Sequence, residues 1–429
     1  MPTPFHRPNP RNGASTLSGR LTFACLALVV SLALGVAAGL AGTARGSSDP
    51  GVTPTTILLG GTAPLSGLAS SYASVSRGAE AYFKHVNARG GVNGRAITYK
   101  VVDDAYNASQ TVAATRQLVE QDKVFAVFNT VGTSENLAVR PYLNSMKVPQ
   151  LFVASGATTW GRDYAQFPYT IGFQPSYQAE GWVYGKYLAR TAPGATIAVL
   201  FQNDEYGKDL LGGLKRGLQR SKAKVIAAQP YEPSSPDISS QIARLKASGA
   251  DTLAIFATPA FAIQAYSFAS KLGWKPRRVI NNAVASSSAT MARAAADGQN
   301  KLVNNTISIA FLKDPTGLQW KSDPSMKLYR TIMGRYAPDA NADDPLHVYG
   351  MAVAWTAVDA LRKAGKDLTR EALRKVLDTF TAAGNPFMIP GIVVKTAGKD
   401  HFPVEQMLLQ RWQNGAWKSF GGLWGYRAF

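Results

Sequence analysis

Residues Asn129–Trp160 read NTVGTSENLAVRPYLNSMKVPQLFVASGATTW. Two apolar runs, Phe125–Phe128 at its start and Leu151–Val153 within it, have the length and composition of buried strands. Each passes directly into a loop of small and hydroxyl residues. Val131-Gly132-Thr133-Ser134 follows the first and Ser155-Gly156-Ala157-Thr158 the second. Between them Glu135–Met146 has the spacing of an amphipathic helix. A strand–helix–strand unit of this kind joins parallel neighbours, which puts both loops on one edge of a sheet. Small residues there bare backbone N–H groups, a helix N-terminus adds positive dipole, and hydroxyls add donors. Two readings fit: a receptor for a small anionic group such as a carboxylate, or a pair of ordinary helix caps, since Ser and Thr favour N-caps.

Working outward, the same alternation continues on both sides. Ile57–Gly60 and Ala96–Val102 read as strands. Ser74–Ala88, with Ala79, Tyr82, Phe83 and Val86 on one face, reads as a helix stopped by Gly90-Gly91, and Ala108–Gln121 as the next helix. Four strands alternating with helices predict a parallel, doubly wound sheet. The pattern then repeats, with strands at Ile197–Phe201, Lys224–Ala228, Thr252–Phe256 and Arg278–Ile280. Phe167–Tyr177, carrying Pro168 and Pro175, suits a crossover between the two units. After Ala285 the alternation weakens. Helices are expected at Ser325–Tyr336, Leu346–Ala364 and Thr369–Thr379, and two closing strands at Ile392–Lys395 and Gln406–Arg411. The fold class is therefore α/β with two similar lobes. Facing lobes of this kind enclose a small molecule beyond the carboxyl ends of their strands and close around it.

The 429 residues are 46% hydrophobic and 17% charged, with a formal net charge of +19. No lysine- or arginine-rich block concentrates that charge, so a nucleic-acid partner is not expected. The only cysteine, Cys25, lies in the apolar run Leu21–Gly42, which follows Arg7, Arg11 and Arg20 and precedes the small residues Thr43-Ala44. Residues 1–44 have the outline of a secretory signal peptide, and the run is also long enough to serve as an uncleaved anchor. Residues 45–54 form a Gly/Ser/Pro linker. Removal of the leader leaves about +16 and no thiol.

Enzyme signatures fail. There is no GxGxxG: Gly60-Gly61-Thr62-Ala63-Pro64 and Gly90-Gly91-Val92-Asn93-Gly94 do not fit. Gly207-Lys208 continues into Asp209 rather than the hydroxyl residue of a P-loop, and GxSxG and HExxH are missing. His85, His347 and His401 are widely separated, so no metal site and no cofactor are expected. What remains are loop residues at strand ends in both units: Ser66-Gly67 and Ser70-Ser71-Tyr72, then Asn203-Asp204-Glu205-Tyr206-Gly207, Thr258-Pro259 and Asn281-Asn282. Asp204 also reads as a helix N-cap and Tyr206 as a packing residue. Their coincidence at C-terminal strand ends favours a binding role.

Taken together, Ala63-Pro64-Leu65-Ser66-Gly67, Asn87-Ala88-Arg89-Gly90-Gly91-Val92-Asn93-Gly94-Arg95, Asp103-Asp104, Ser155-Gly156-Ala157-Thr158 and Asp204-Glu205-Tyr206-Gly207 give the chain a family likeness. From Thr55 onward it resembles the extracytoplasmic solute-binding proteins of the leucine/isoleucine/valine type, which deliver ligand to ATP-driven (ABC) importers. The resemblance implies a type I periplasmic-binding-protein fold of two doubly wound lobes joined by three crossovers. One lobe would comprise residues 55–173 and 313–400, the other 174–312 and 401–429. It implies no catalytic residue, no cofactor and a monomer that meets a membrane permease.

Carried over, the family's ligand contacts fall at Ser71 and Tyr72, at Gly132 and Thr133, at Ser155 and Thr158, and at Tyr206, Thr258 and Asn282. One departure stands out. The acidic positions that pair a ligand ammonium fall near Gln174-Pro175 and at Asn282, none of them acidic. A buried ammonium without a carboxylate is costly. The expected ligand is therefore an acid or amide without an α-amino group, such as an aromatic acid. The opposing reading lets Asp204 or Glu205 take that role. A ligand-sensing module with a separate signalling partner is the alternative use of the same fold.

Overall fold

A computed structural model describes residues 49–297 and 301–426. The leader reading of residues 1–44 lies outside them. Among the described residues no helix is long and apolar enough to cross a membrane.

Two sheets organise the chain. The first holds β1 (Thr56–Ala63), β2 (Ala96–Asp103), β3 (Ala126–Phe128), β4 (Gln150–Val153) and β5 (Thr170–Gly172), in the order β2-β1-β3-β4-β5 and parallel throughout. Every residue of β3, β4 and β5 is buried, as expected of a parallel sheet covered on both faces. The second sheet takes β6 (Thr196–Gln202), β7 (Lys224–Tyr231), β8 (Thr252–Phe256), β9 (Arg278–Asn281) and β10 (Ile307–Ala310). A pair β11 (Thr381–Ala382) and β12 (Val394–Lys395) stands apart, and β13 (Gln406–Gln413) and β14 (Ala416–Gly425) complete the second sheet. Its order is β14-β13-β10-β9-β8-β6-β7, antiparallel only at β13 and β14.

The chain passes between the sheets three times: after β5, after β10 and after β12. The second passage brings the helices Pro324–Tyr336, Pro345–Lys363 and Arg370–Asp378 back to the first sheet. Arg370 anchors them there, donating to the carbonyls of Val124 and Phe125 (2.8 and 2.9 Å) at the entry to β3. Pro345–Lys363 begins under Asp344, whose carboxylate accepts from the Leu346 N–H, with proline in the first turn, where its missing N–H costs nothing.

Four strands differ from the sequence reading. β5 lies inside the stretch read as a bare crossover, β10 within the region of weakened alternation, β11 between the last expected helix and the closing strands, and β14 beyond the last expected strand. β5 and β10 have three and four residues, too few to display a period. Partners on the sheet define them.

The helix Ala73–Asn87 packs on Pro345–Lys363 through glycine. A Cβ at Gly78 would strike the His347 backbone, and one at Gly350 the Val75 carbonyl, so the backbones touch where neither residue carries a side chain. Gly350→Val should cost about 1–3 kcal/mol by overpacking, read as a lower urea midpoint with an unchanged slope. A neutral result would mean that the two helices are free to separate.

Candidate functional site

A cavity of about 140 Å³ lies where the C-terminal ends of the two parallel sheets face each other. Tyr72 and Tyr106 reach it from loops after β1 and β2, Val131-Gly132-Thr133 after β3 and Ala154 after β4. Opposite them stand Tyr206 after β6, Thr258 after β8, Ala283-Val284 after β9 and Phe311–Asp314 after β10. The first crossover contributes Gln174, Pro175, Tyr177 and Glu180.

Of the nine residues carried over from sequence, Tyr72, Gly132, Thr133, Tyr206 and Thr258 line this cavity. Ser71 is exposed on the turn beside Tyr72 and is not among the lining residues. Ser155, Thr158 and Asn282 sit one layer back, buried. Ser155 Oγ lies 2.7 Å from Thr133 Oγ1 and accepts from the Trp160 indole at 3.1 Å. Asn282 holds a lining tyrosine: its Oδ1 accepts from the Tyr206 hydroxyl at 3.0 Å, while its amide donates to the carbonyls of Ile255 and Ala257. A buried amide whose two N–H groups are both taken by backbone carbonyls cannot turn, so its oxygen holds Tyr206 in place.

The Ser155–Thr158 loop is clamped from beneath by Arg140, which is 2% exposed. Its guanidinium lies 4.1 Å from the Phe167 ring centroid and 5.2 Å from that of Trp160, and donates to the Thr159 hydroxyl and carbonyl. In sequence Arg140 is one more polar residue of an amphipathic helix. Its burial is decided by the loop that folds over it.

Acids enter the site from positions the sequence reading did not single out. Glu180, 2% exposed, lines the cavity. Its Oε1 accepts from the Ala283 N–H at 2.7 Å and the Tyr184 hydroxyl at 2.8 Å. Burial pushes its carboxyl up to about 7 although those two donors pull the other way. Asp314 also lines the cavity, and burial raises its carboxyl too. Gln174 and Pro175 carry no charge, but Glu180, in the first turn of the helix Tyr177–Thr191, brings a carboxyl to the same wall. Which side of a helix's first turn meets the cavity is not visible without the path of the crossover that leads into it.

Glu135, in the first turn of the helix Thr133–Ser145, is buried with its carboxyl against Gly132. Its Oε2 is enclosed without a donor. Burial pushes Glu135 up to about 8; its own backbone N–H opposes this, and Asp104 and Asp204 push the same way. Asp204 belongs to the opposite wall, where it caps the helix Glu205–Leu218 through the Gly207 N–H. It also accepts from Ser134 at 3.4 Å across the cleft.

Further contacts bridge the two walls. The Thr158 N–H donates to Asp209 Oδ2 at 2.7 Å, and the Tyr72 hydroxyl to the Val284 carbonyl at 3.3 Å. Arg162 and Glu205 approach to 3.9 Å. The cleft is therefore shut around the cavity.

For Glu135 and Glu180 the pH sign is the same. Each folded-state value lies above the ordinary 4.5 of a glutamate. Their stabilising contribution is complete below about pH 4.5 and lost as pH rises through about 7 for Glu180 and about 8 for Glu135. Wild-type melting temperature should fall between pH 5 and 8.5. Glu135→Gln should fall less, gaining about 1 kcal/mol or more on wild type at the alkaline end. Parallel curves would mean that Glu135 ionises freely in the folded protein.

A family model of periplasmic binding proteins matches residues 56–416. A Leu/Ile/Val-binding protein homolog from Brucella suis is 27% identical over 256 residues, 58% of this chain and 62% of its own length. The chain thus spans a little under two thirds of that curated relative. Among solved structures, a Thermus thermophilus branched-chain amino acid ABC transporter protein with bound valine superposes with a TM-score of 0.74. It is 18% identical, and the match covers 87% of this chain and 96% of that one. A solute-binding protein of R. palustris in complex with benzoate gives 0.72 at 16% identity, covering 85% and 96%. At such identities the structures speak for the fold alone. With the family match running from β1 into β14, the chain belongs to the periplasmic binding proteins, two doubly wound lobes joined by three crossovers.

Proposed function

We propose that this chain is an extracytoplasmic solute-binding protein that captures one small organic solute between its lobes and hands it to the membrane permease of an ABC importer. The observation that carries this reading is the cavity itself. Its walls are the strand-end loops of both sheets, and contacts between those walls shut it. A ligand that touches both lobes stabilises the shut form by its differential contacts, and a permease can then read the closed shape.

The lining suits an apolar or aromatic body with a polar end. Val75, Val131, Val284, Ile309, Phe311 and Leu346 supply apolar surface, and tyrosines supply rings with hydroxyl tips. A solute other than a branched-chain amino acid fits this wall. The relatives' own ligands are varied: valine and benzoate in the two structures above, and fatty acid in the description of a Thermomonospora curvata substrate-binding protein. The chain acts by binding and release, not by turnover, and works as a monomer outside the cytoplasm.

Denaturing natively purified protein and identifying the released molecule by mass spectrometry supplies the ligand. Returned to stripped protein, that molecule should bind one to one, come back unchanged, and reduce the radius of gyration in small-angle scattering. Asp209→Ala removes the acceptor of the Thr158 N–H and should weaken binding about tenfold, since a buried charged hydrogen bond contributes about 1.5–3 kcal/mol. Chemical conversion of the ligand, or binding without compaction, would sink the proposal.

A further inference from the structure

The polar groups that meet the cavity are unevenly charged. Glu180 is buried, and both donors that reach it meet Oε1. Among the described residues no hydrogen bond is made to Oε2, although the side chain forms part of the cavity wall. Asp314 repeats the pattern. Its Oδ1 accepts from the Thr316 N–H and hydroxyl (2.8 and 2.7 Å) and from Ser288 (3.2 Å), and among the described residues nothing donates to Oδ2. Two carboxyls thus each keep one oxygen for whatever occupies the cavity.

Cations do not balance them. Lys313 is the one basic side chain in the described lining, and its Nζ is committed to Asp323 at 2.9 Å, over the Trp320 ring. The hydroxyl edge offers an anion little: of the two protons on Thr133 and Ser155 one closes the bond between them, leaving a single donor, and the first turn of the helix Thr133–Ser145 already carries the Glu135 carboxyl against Gly132. An incoming carboxylate would meet two acids, no available cation and a helix terminus with an acid of its own. That is an unfavourable burial of charge.

The rings point the same way. Tyr72 and Tyr106 from one lobe stand 6.5 Å apart, and Tyr177 and Tyr206 from the other 4.8 Å apart, and all four line the cavity. A cavity walled by both tyrosine rings and carboxyls suits ammonium groups, methylated ones included, because the ring quadrupole is negative at its face.

We propose that the cleft selects an organic cation, an amine or methylated ammonium with an apolar body and no carboxylate, whose charge is taken up by Glu180 and the tyrosine rings. This rests on the solute-binding reading and names the class of solute. It replaces the expected acid end with a basic one, because the acid that pairs it comes from Glu180 and not from position 174, 175 or 282.

A matched series tests it by isothermal titration of the stripped full chain at pH 7.5. On one phenyl body the series is 2-phenylethylamine, its N,N,N-trimethyl form, 3-phenylpropionamide, 3-phenylpropionate and phenylalanine. On an aliphatic body it is 3-methylbutylamine, 4-methylpentanoate and leucine. The amine or methylated ammonium should bind at least about tenfold more tightly than the carboxylate and the amino acid of the same body. Glu180→Gln, which keeps an oxygen for the Ala283 N–H, should remove that preference, so that the amide binds at least as tightly as the amine of the same body. Asp314→Asn should reduce it in part. Tighter binding of a carboxylate or an amino acid, the absence of amine binding, or an amine preference that survives Glu180→Gln overturns the inference. A carboxylate found in the native extract does so as well, yet leaves the solute-binding reading standing. Only a ligand that is converted, or bound without compaction, removes that reading.

Discussion

Parallel pairing is the constraint on which the rest depends. β1 to β5 all run one way, as do β6 to β10, so every strand in each set ends on the same edge and every following loop starts there. A chain built this way cannot avoid collecting its most irregular, most polar backbone on two edges. Three passages between the sheets turn those edges toward each other. The cavity is the space between them, and its chemistry is whatever residues follow each strand.

Those residues are fixed by a second layer. Tyr206 presents its ring because Asn282 is tied to Ile255 and Ala257. The Ser155–Thr158 loop lies where it does because Arg140 is stacked under it between Trp160 and Phe167. Glu180 is aimed by the Ala283 N–H and the Tyr184 hydroxyl, whose oxygen also lies 3.1 Å from the Asn281 carbonyl. Each support is a buried polar group with its partners nearly complete, the arrangement that makes a polar interior rigid rather than weak. The acids of the cleft, by contrast, are left half satisfied, which is where a ligand can contribute what the protein does not.

Much of this was legible in the chain. The strand-to-loop junctions at Phe128 and Val153 are visible because an apolar run stops abruptly at glycine and hydroxyl residues. Tyr72, Gly132, Thr133, Tyr206 and Thr258 follow from that rule and do line the cavity. The same rule also selected Ser71, Ser155, Thr158 and Asn282, which are exposed or lie one layer behind. Position after a strand says that a residue is near the edge, and says nothing about which way its side chain turns. Glu180 escaped notice for the opposite reason. It sits on a helix, one turn beyond a crossover, and only the crossover's path swings that turn into the cleft.

By itself, then, the sequence determined the alternation of strand and helix, the duplication of that alternation, and the edge on which loops gather. These depend on local composition and on periods of two and 3.6 residues, which neighbouring residues write directly. Tertiary structure decided the short strands β5 and β10, the burial of Arg140, and the charge of the cleft. Each depends on a partner far along the chain: a strand that completes a sheet, a loop that covers a guanidinium, a helix turn facing the opposite lobe. Local sequence cannot encode the electrostatics of a space whose walls come from twelve separate segments, because a charge acquires its environment only when those walls meet.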